Sequence, residues 1–142
     1  MSKISWCKRQ ENGIKLIEPN DNLSGEYFQN AEESLRVLAS IKETKSNMWL
    51  ATTKYYIEYF AVYSVMMKIG VKCEIHDCTI ALVEFLEKEY IIMKGTFKIL
   101  EKDKELRIDN QYYLKKIPVV INLEKLSEFL ISIKETLSKI DK

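Results

Sequence analysis

The 142-residue sequence has little of what interrupts regular structure and little of what usually builds a catalytic or metal site. Four glycines and two prolines leave few positions where a helix must stop. The glycines are scattered, which excludes a glycine-rich loop that cradles phosphate. There is one histidine, His76, and three cysteines, Cys7, Cys73 and Cys78. An odd number of so few cysteines excludes a disulfide framework, so we expect reduced thiols in a reducing compartment.

A charge excess and a long apolar run are also missing. The chain has 22 basic and 21 acidic residues and a net charge of +1. No global basic field therefore draws it onto nucleic acid, and an RNA contact would need a local patch. Residues 1–12 lack the apolar core of a secretion signal, and charged residues interrupt the longest apolar stretch. We expect a cytoplasmic protein with no membrane contact.

Apolar residues recur at helical spacing along most of the chain, which predicts an all-α protein. The predicted helices cover residues 5–10, 22–44, 48–69, 80–90, 97–115 and 123–140. No linker divides the chain, so we expect a single domain over residues 1–142, folded as an up-and-down bundle of five to six helices. The last helix holds fewer than three heptads, which favours a bundle helix over a long coiled coil.

Polar residues or glycine stand where the predicted helices begin or end. Asn, Asp and Ser side chains accept hydrogen bonds from the first N–H groups of a helix, and Gly adopts the left-handed conformation that often follows its last turn. The predicted caps are Asn20 to Asn22, Ser46 or Asn47, Gly70, Asp77 and Asn122. The helix over 48–69 is apolar around a wide surface, which predicts a central position in the bundle.

The segment Gly70-Val-Lys-Cys-Glu-Ile-His-Asp-Cys78 places the histidine between two cysteines. A structural zinc site needs four ligands, and the fourth would have to be the distant Cys7. We therefore expect no metal and no cofactor, and interpret the cysteines as thiols packed at helix ends. Beside helix N–H groups His76 is expected to stay neutral, which suits a hydrogen-bonding or general-base role. Lys72 would supply a cation if the loop folds back, and an ordinary loop histidine is the alternative.

Four tyrosines lie on the predicted central helix: Tyr55, Tyr56, Tyr59 and Tyr63. They spread around the helix and do not form one stripe, so we expect core residues whose hydroxyls reach the bundle surface or a partner chain. A base-stacking platform would need basic residues on the same face, and this helix carries only two lysines.

Several short motifs resemble those of HEPN-domain proteins. The central ones are Tyr55-Tyr-Ile-Glu-Tyr-Phe-Ala61, then Gly70-Val-Lys72 with His76 and Cys78, and later Leu106-Arg-Ile-Asp-Asn-Gln-Tyr112. Trp6-Cys7 and Ile17-Glu-Pro19 are similar to the N-terminal part of that family. The resemblance implies a helical bundle that forms a homodimer and is encoded beside a minimal nucleotidyltransferase, as in a toxin–antitoxin pair.

Active members of that family are metal-independent ribonucleases, in which an arginine and a following histidine act at the dimer interface. The resemblance assigns Arg107 to the arginine position and Tyr112 to the histidine position. A phenol with a reference pKa of about 10 is a poor base at pH 7. The resemblance thus implies binding of nucleotide or RNA through Arg107 and Lys72, and it makes Tyr112 and Tyr113 candidates for modification by the partner enzyme.

Three functional hypotheses follow, and the sequence leaves open whether the protein is an enzyme. The leading one is a homodimer that binds a nucleotidyltransferase and a nucleotide or RNA. The second is a residual endoribonuclease in which Arg107 stabilises phosphate charge and His76, helped by Lys72, moves the proton; it requires Arg107 and His76 to lie close together. The third is a structural adaptor in which Arg107 only forms a salt bridge with Glu105 or Asp109.

Overall fold

The computed structural model describes residues 3–140 as six α-helices and one two-stranded sheet. The helices are α1 (Lys3–Arg9), α2 (Asp21–Ile41), α3 (Asn47–Ile69), α4 (His76–Lys88), α5 (Thr96–Gln111) and α6 (Leu123–Ile140). The strands are β1 (Lys15–Leu16) and β2 (Val71–Lys72), and a 3-10 turn over Lys42–Thr44 follows α2. The prediction of an all-α helical bundle is confirmed. Within the described residues no helix has the length and apolarity that crossing a membrane requires.

Helix α3 occupies the centre of the bundle. It packs against α2, α5 and α6, while α4 packs against α5 and α1. Most α3 side chains from Leu50 to Met67 are buried. This packing on several sides explains why apolar residues surround the helix and do not follow a single stripe.

Three predicted N-caps are confirmed. The N–H groups of Leu23, Trp49 and Lys125 donate to Asn20 Oδ1 at 2.9 Å, Ser46 Oγ at 3.3 Å and Asn122 Oδ1 at 3.0 Å, respectively. Each bond satisfies one of the N–H groups that the start of a helix leaves without an internal partner.

The start of α4 and the end of α5 differ most from the prediction. Ile75, which offers no side-chain hydrogen bond, is the N-cap of α4, so Asp77 lies inside the first turn and is not the cap. Its carboxylate instead pairs with Lys104 of α5. Helix α5 ends at Gln111, earlier than the predicted residue 115, and the irregular segment 112–122 leads to α6.

Gly70 ends α3 in the left-handed conformation that the sequence predicts, with φ of 90°. A Cβ atom at this position would lie 2.5 Å from the carbonyl oxygen of Ile17. The chain comes so close because the Ile17 N–H donates to the Gly70 carbonyl at 2.9 Å, beside the antiparallel pair β1–β2. The sequence analysis did not predict these two strands.

Cys7 and Cys78 form a disulfide that joins α1 to the first turn of α4. Both residues are fully buried. The expectation of three reduced thiols is therefore wrong for this pair, and only Cys73 is a free thiol, which donates to the Ile75 carbonyl at 3.3 Å. Because disulfides persist mainly in oxidising compartments, the cysteine count no longer argues for a reducing one, and the cytoplasmic location stays a prediction.

Candidate functional site

Tyr55 and Tyr59 of α3 hold His76, the first residue of α4. The two tyrosines are four residues apart and therefore share one face of α3. The His76 ring stacks on the Tyr59 ring with centroids 4.0 Å apart and 11° between their planes. The Tyr55 hydroxyl lies 2.9 Å from His76 Nδ1. One tyrosine thus supports the face of the imidazole and the other fixes its edge.

Arg107 of α5 lies against the rings of Tyr55 and Tyr56 of α3. Its Cζ atom is 5.1 Å from the Tyr55 ring centroid and 5.7 Å from that of Tyr56, both within cation–π distance. Its Nη1 donates to Gln111 Oε1 at 3.1 Å. In the part of the chain that the structure describes, no carboxylate lies within ion-pair distance of this guanidinium. The described residues therefore give this partly buried positive charge no countercharge.

The structure places Arg107 and His76 against the same residue, Tyr55. Whether they can flank one phosphate, as the ribonuclease hypothesis requires, stays a prediction. Both side chains contact Tyr55, and the guanidinium is near enough to lower the pKa of the imidazole. We call the group formed by Tyr55, Tyr59, His76 and Arg107 the Tyr55 cluster.

Burial and neighbouring charges keep the His76 ring neutral. Desolvation is the main cause that lowers the pKa of His76 below its usual 6.5, and the positive charges of Arg107 and Lys104 lower it further. Asp77 acts in the opposite direction, but its carboxylate is engaged by Lys104, whose hydrogen bond lowers the pKa of Asp77. At pH 7 only one of the two imidazole nitrogens therefore carries a proton.

The hydrogen bond with Tyr55 indicates which nitrogen carries it. Tyr55 is fully buried, and desolvation is the main cause that raises the pKa of its phenol, so the group keeps its proton. The acceptor available to that O–H among residues 3–140 is His76 Nδ1. We therefore assign the proton of the neutral imidazole to Nε2. In this tautomer Nε2 donates a hydrogen bond and has no lone pair with which to act as a base.

The guanidinium of Arg107 and the N–H of His76, both held by Tyr55, are groups that bind anions. Phosphate oxygens accept hydrogen bonds from both groups, and the charge on Arg107 strengthens them. A neutral imidazole protonated at Nε2 neither removes a proton at that atom nor releases one readily. The chemistry of these two groups consequently suits an anion-binding role better than proton transfer.

Tyr59 and Tyr63 are core residues, as the sequence analysis predicts, whereas Tyr56 is half-buried. Tyr59 and Tyr63 are 7% and 6% exposed. The expectation that their hydroxyls reach the surface is wrong. The Tyr59 hydroxyl lies 3.2 Å from Thr79 Oγ1, and the Tyr63 hydroxyl accepts from the Cys73 N–H at 3.0 Å. Burial is the main cause that raises the pKa of both phenols. The two hydroxyls tie α4 and the end of β2 to the central helix.

Three residues that the sequence analysis assigned to the site lie outside the Tyr55 cluster. Lys72 Nζ lies 3.5 Å from Glu74 Oε1, and the structure shows no contact of Lys72 with His76 or Arg107 in residues 3–140. Tyr112 and Tyr113 are 64% and 67% exposed in the segment that follows α5. Neither has a hydrogen bond or ring contact with the cluster in the described chain.

The adaptor hypothesis depended on a salt bridge that the structure does not contain. Within residues 3–140 neither Glu105 nor Asp109 pairs with Arg107, and Asp109 lies 3.3 Å from Lys115. Arg107 therefore has no ion pair there that would explain it as a purely structural residue.

Sequence reasoning missed the roles of Tyr55, Tyr59 and Gln111 in the site. The signal available was spacing, because Tyr55 with Tyr59, and Arg107 with Gln111, are each four residues apart on a helix. Nothing local indicated that these two faces meet.

Cys78 lies in a disulfide and has no thiolate to offer a metal, so one of the ligands considered from spacing is excluded. In residues 3–140 no group of three or more histidine, cysteine, aspartate or glutamate side chains is placed to hold a metal ion.

Compared with known proteins, the chain matches no protein-family model, no curated protein and no solved structure. Its function is therefore inferred from the Tyr55 cluster.

Proposed function

We propose that this chain is a HEPN-like helical domain that binds the phosphate of a nucleotide or RNA at the Tyr55 cluster. The observation that carries the proposal is Arg107, which has no carboxylate partner in the described chain and contacts Tyr55, the residue that also binds the neutral His76 ring. We infer that an anion bound by the charge of Arg107 also accepts a hydrogen bond from the His76 N–H. The HEPN resemblance gives the same arginine a phosphate-binding role.

The resemblance extends the proposal to partners. We expect a homodimer with the Tyr55 cluster near its interface, and a minimal nucleotidyltransferase partner as in a toxin–antitoxin pair. Exposed phenols support modification by such an enzyme, because it must reach Tyr112 or Tyr113. Sedimentation tests the dimer, since a monomer at all micromolar concentrations would refute it. Intact mass after incubation with the nucleotidyltransferase and ATP tests the modification, which Tyr112→Phe with Tyr113→Phe should abolish.

A residual metal-independent ribonuclease is the second candidate, because Arg107 and His76 both contact Tyr55. For His76 to accept a proton at Nε2, the ring would have to carry its proton at Nδ1. The Tyr55 O–H would then lose its acceptor while buried, which costs about 1–3 kcal/mol. This cost is the reason for preferring the binding function.

Binding and cleavage of the same single-stranded RNA in excess EDTA test both candidates. The proteins compared are the wild type, Arg107→Ala, His76→Ala and the control Arg36→Ala, which removes an exposed arginine of α2. Losing a charge-assisted hydrogen bond costs about 1.5–3 kcal/mol, so we expect RNA affinity to fall about tenfold to a hundredfold in Arg107→Ala. A smaller loss is expected in His76→Ala and none in Arg36→Ala.

Cleavage by the wild type that is lost in both cluster variants would replace the binding proposal with the ribonuclease. Equal RNA affinity in Arg107→Ala and Arg36→Ala would refute the Tyr55 cluster as the phosphate site.

A further inference from the structure

A second group of polar side chains lies between α3 and α5, next to the Tyr55 cluster along α3. Glu58 is 1% exposed and lies near enough to Asp103, which is 2% exposed, for that carboxylate to raise the pKa of Glu58. Lys54 Nζ lies 3.1 Å from Asp103 Oδ1 and 3.0 Å from Oδ2. Two carboxyl groups and one ammonium thus meet in the interior.

The proton on Glu58 balances this charge. Burial is the main cause that raises the pKa of Glu58 well above its usual value, and the nearby carboxylate of Asp103 raises it further, against the opposing charge of Lys54. Glu58 Oε1 receives no hydrogen bond from an N–H or O–H group of residues 3–140. A neutral, buried carboxyl therefore has hydrogen-bonding capacity that the described chain does not fill.

Glu58 lines a cavity of about 400 Å³ that is bounded by α3, α5, α6 and the segment before α6. Its apolar wall includes Leu126 and Phe129, which are buried. Lys102 and Lys125 also line it and are exposed. Counting Lys54 and the Asp103 behind it, the surroundings carry a net positive charge.

We infer that this cavity binds a small organic acid with an apolar body, whose carboxylate meets Lys102 and Lys125 and whose far end carries a hydroxyl or amino group that hydrogen-bonds to Glu58. This site is separate from the proposed phosphate site and involves none of its residues. The lysines favour an anion over a cation, and the buried wall favours a hydrophobic body. A polar group inside the cavity would use the hydrogen-bonding capacity of Glu58.

Two probes that differ by one hydroxyl test the assignment: 3-(4-hydroxyphenyl)propionate and 3-phenylpropionate. Titration of ¹⁵N-labelled protein, followed by NMR, gives both the affinity and the location of binding. We expect shift changes confined to the cavity wall, at residues such as Ile99 and Phe129. One hydrogen bond contributes about 0.5–1.5 kcal/mol, so the hydroxylated probe should bind about twofold to tenfold tighter.

Variants at exposed positions separate this cavity from non-specific binding. Val120 is 82% exposed at the cavity wall, and Val120→Trp should abolish binding of both probes by filling the space. Lys102→Glu with Lys125→Glu should weaken binding about tenfold. The matched control is Lys98→Glu with Lys134→Glu, which makes the same charge change on α5 and α6 at exposed positions outside the cavity.

The control pair and Arg107→Ala should both bind the probes as the wild type does, so that failure here is distinguishable from failure of the phosphate site. Shift changes spread over the whole surface, or unchanged affinity in Val120→Trp, would overturn the cavity as the site. Equal affinities of the two probes would overturn the role of Glu58.

Discussion

Two cations lie against neighbouring faces of α3, and only one of them has a carboxylate partner in the described chain. On one face Arg107 lies against the rings of Tyr55 and Tyr56, and the described chain gives it no carboxylate partner. On the other face Lys54 pairs with both oxygens of Asp103, and the additional carboxyl of Glu58 is neutralised by a proton.

Both cations are partly buried, so the presence of a countercharge, more than burial, decides whether such a cation can attract an anion from outside. Lys54 is satisfied by Asp103 and holds α3 to α5. Arg107 is held by aromatic rings and Gln111, which position the guanidinium without cancelling its charge. A cation of the second kind attracts an anion from outside, which is the physical basis of the proposed phosphate site.

The largest expected effect is a difference in unfolding free energy between variants that remove Lys54 and Arg107. Lys54→Met leaves Asp103 buried with no cation, and breaking such a pair costs about 3–5 kcal/mol of unfolding free energy, with the lower end expected because Lys54 is partly exposed. Arg107→Met leaves no paired carboxylate behind and removes cation–π contacts worth about 0.5–1 kcal/mol. Urea unfolding measures both, with exposed Lys98→Met as the control. Equal losses in the two variants would contradict the comparison.

Glu58→Gln should stabilise the protein at neutral pH. The pKa of Glu58 is raised by burial, so the native state keeps a proton that the unfolded state releases above its usual pKa. The contribution of Glu58 to stability is thus fully present below that usual pKa and is lost as the pH rises through the raised one, at up to about 1.4 kcal/mol per pH unit. An amide needs no proton to donate to Asp103. In urea unfolding from pH 4 to pH 8, the gain over the wild type should increase with pH, and a constant difference would refute the buried proton.

Tyr55→Phe removes the hydroxyl that donates to His76 Nδ1, so the imidazole proton should occupy either nitrogen. We expect the free energy of unfolding to fall by about 1 kcal/mol. Imidazole ¹⁵N chemical shifts measure the tautomer, and we expect Nε2–H in the wild type and a mixture in the variant. Tyr59→Phe is the matched control, since it removes a buried hydroxyl that bonds to Thr79 and not to Nδ1. A wild-type ring protonated at Nδ1 would revive the ribonuclease hypothesis.

The smallest effect concerns pH at the Tyr55 cluster. As the pH falls through the lowered pKa of His76, the ring gains a second proton and a positive charge, so affinity for phosphate should rise a few-fold. Stability should decline over the same range, because the unfolded histidine takes up its proton at a higher pH than the native one. Titration of RNA at pH 7.5 and 5.5 at constant ionic strength measures the first effect. His76→Gln should show no such rise, and a rise of equal size in that variant would exclude the histidine.

Much of the fold could be predicted because its determinants are close in sequence. The caps at Asn20, Ser46 and Asn122 each bond to an N–H three residues later, and Gly70 donates to the Met66 carbonyl at the end of the same helix. Helical periodicity is equally local. These features depend little on what the helices pack against.

The wrong predictions concern residues whose structure is decided by a partner that is distant in the sequence. Asp77 has the chemistry of an N-cap, but its carboxylate pairs with Lys104 of α5. Cys7 and Cys78 were predicted to be separate thiols, because the disulfide joins positions that are 71 residues apart in the sequence. In each case the partner lies on another helix, and a single sequence carries no signal for that distance.

By itself the sequence determined the helical class, the central position of α3 and most of the helix caps, because periodicity and capping act over a few neighbouring residues. It also singled out Arg107 and His76 as chemically notable. Only the tertiary structure decided that both side chains contact Tyr55, that burial and Asp103 keep Glu58 protonated, and that Lys72 stays apart. The physical reason is that charge and proton positions depend on burial and on partners that packing brings from other helices.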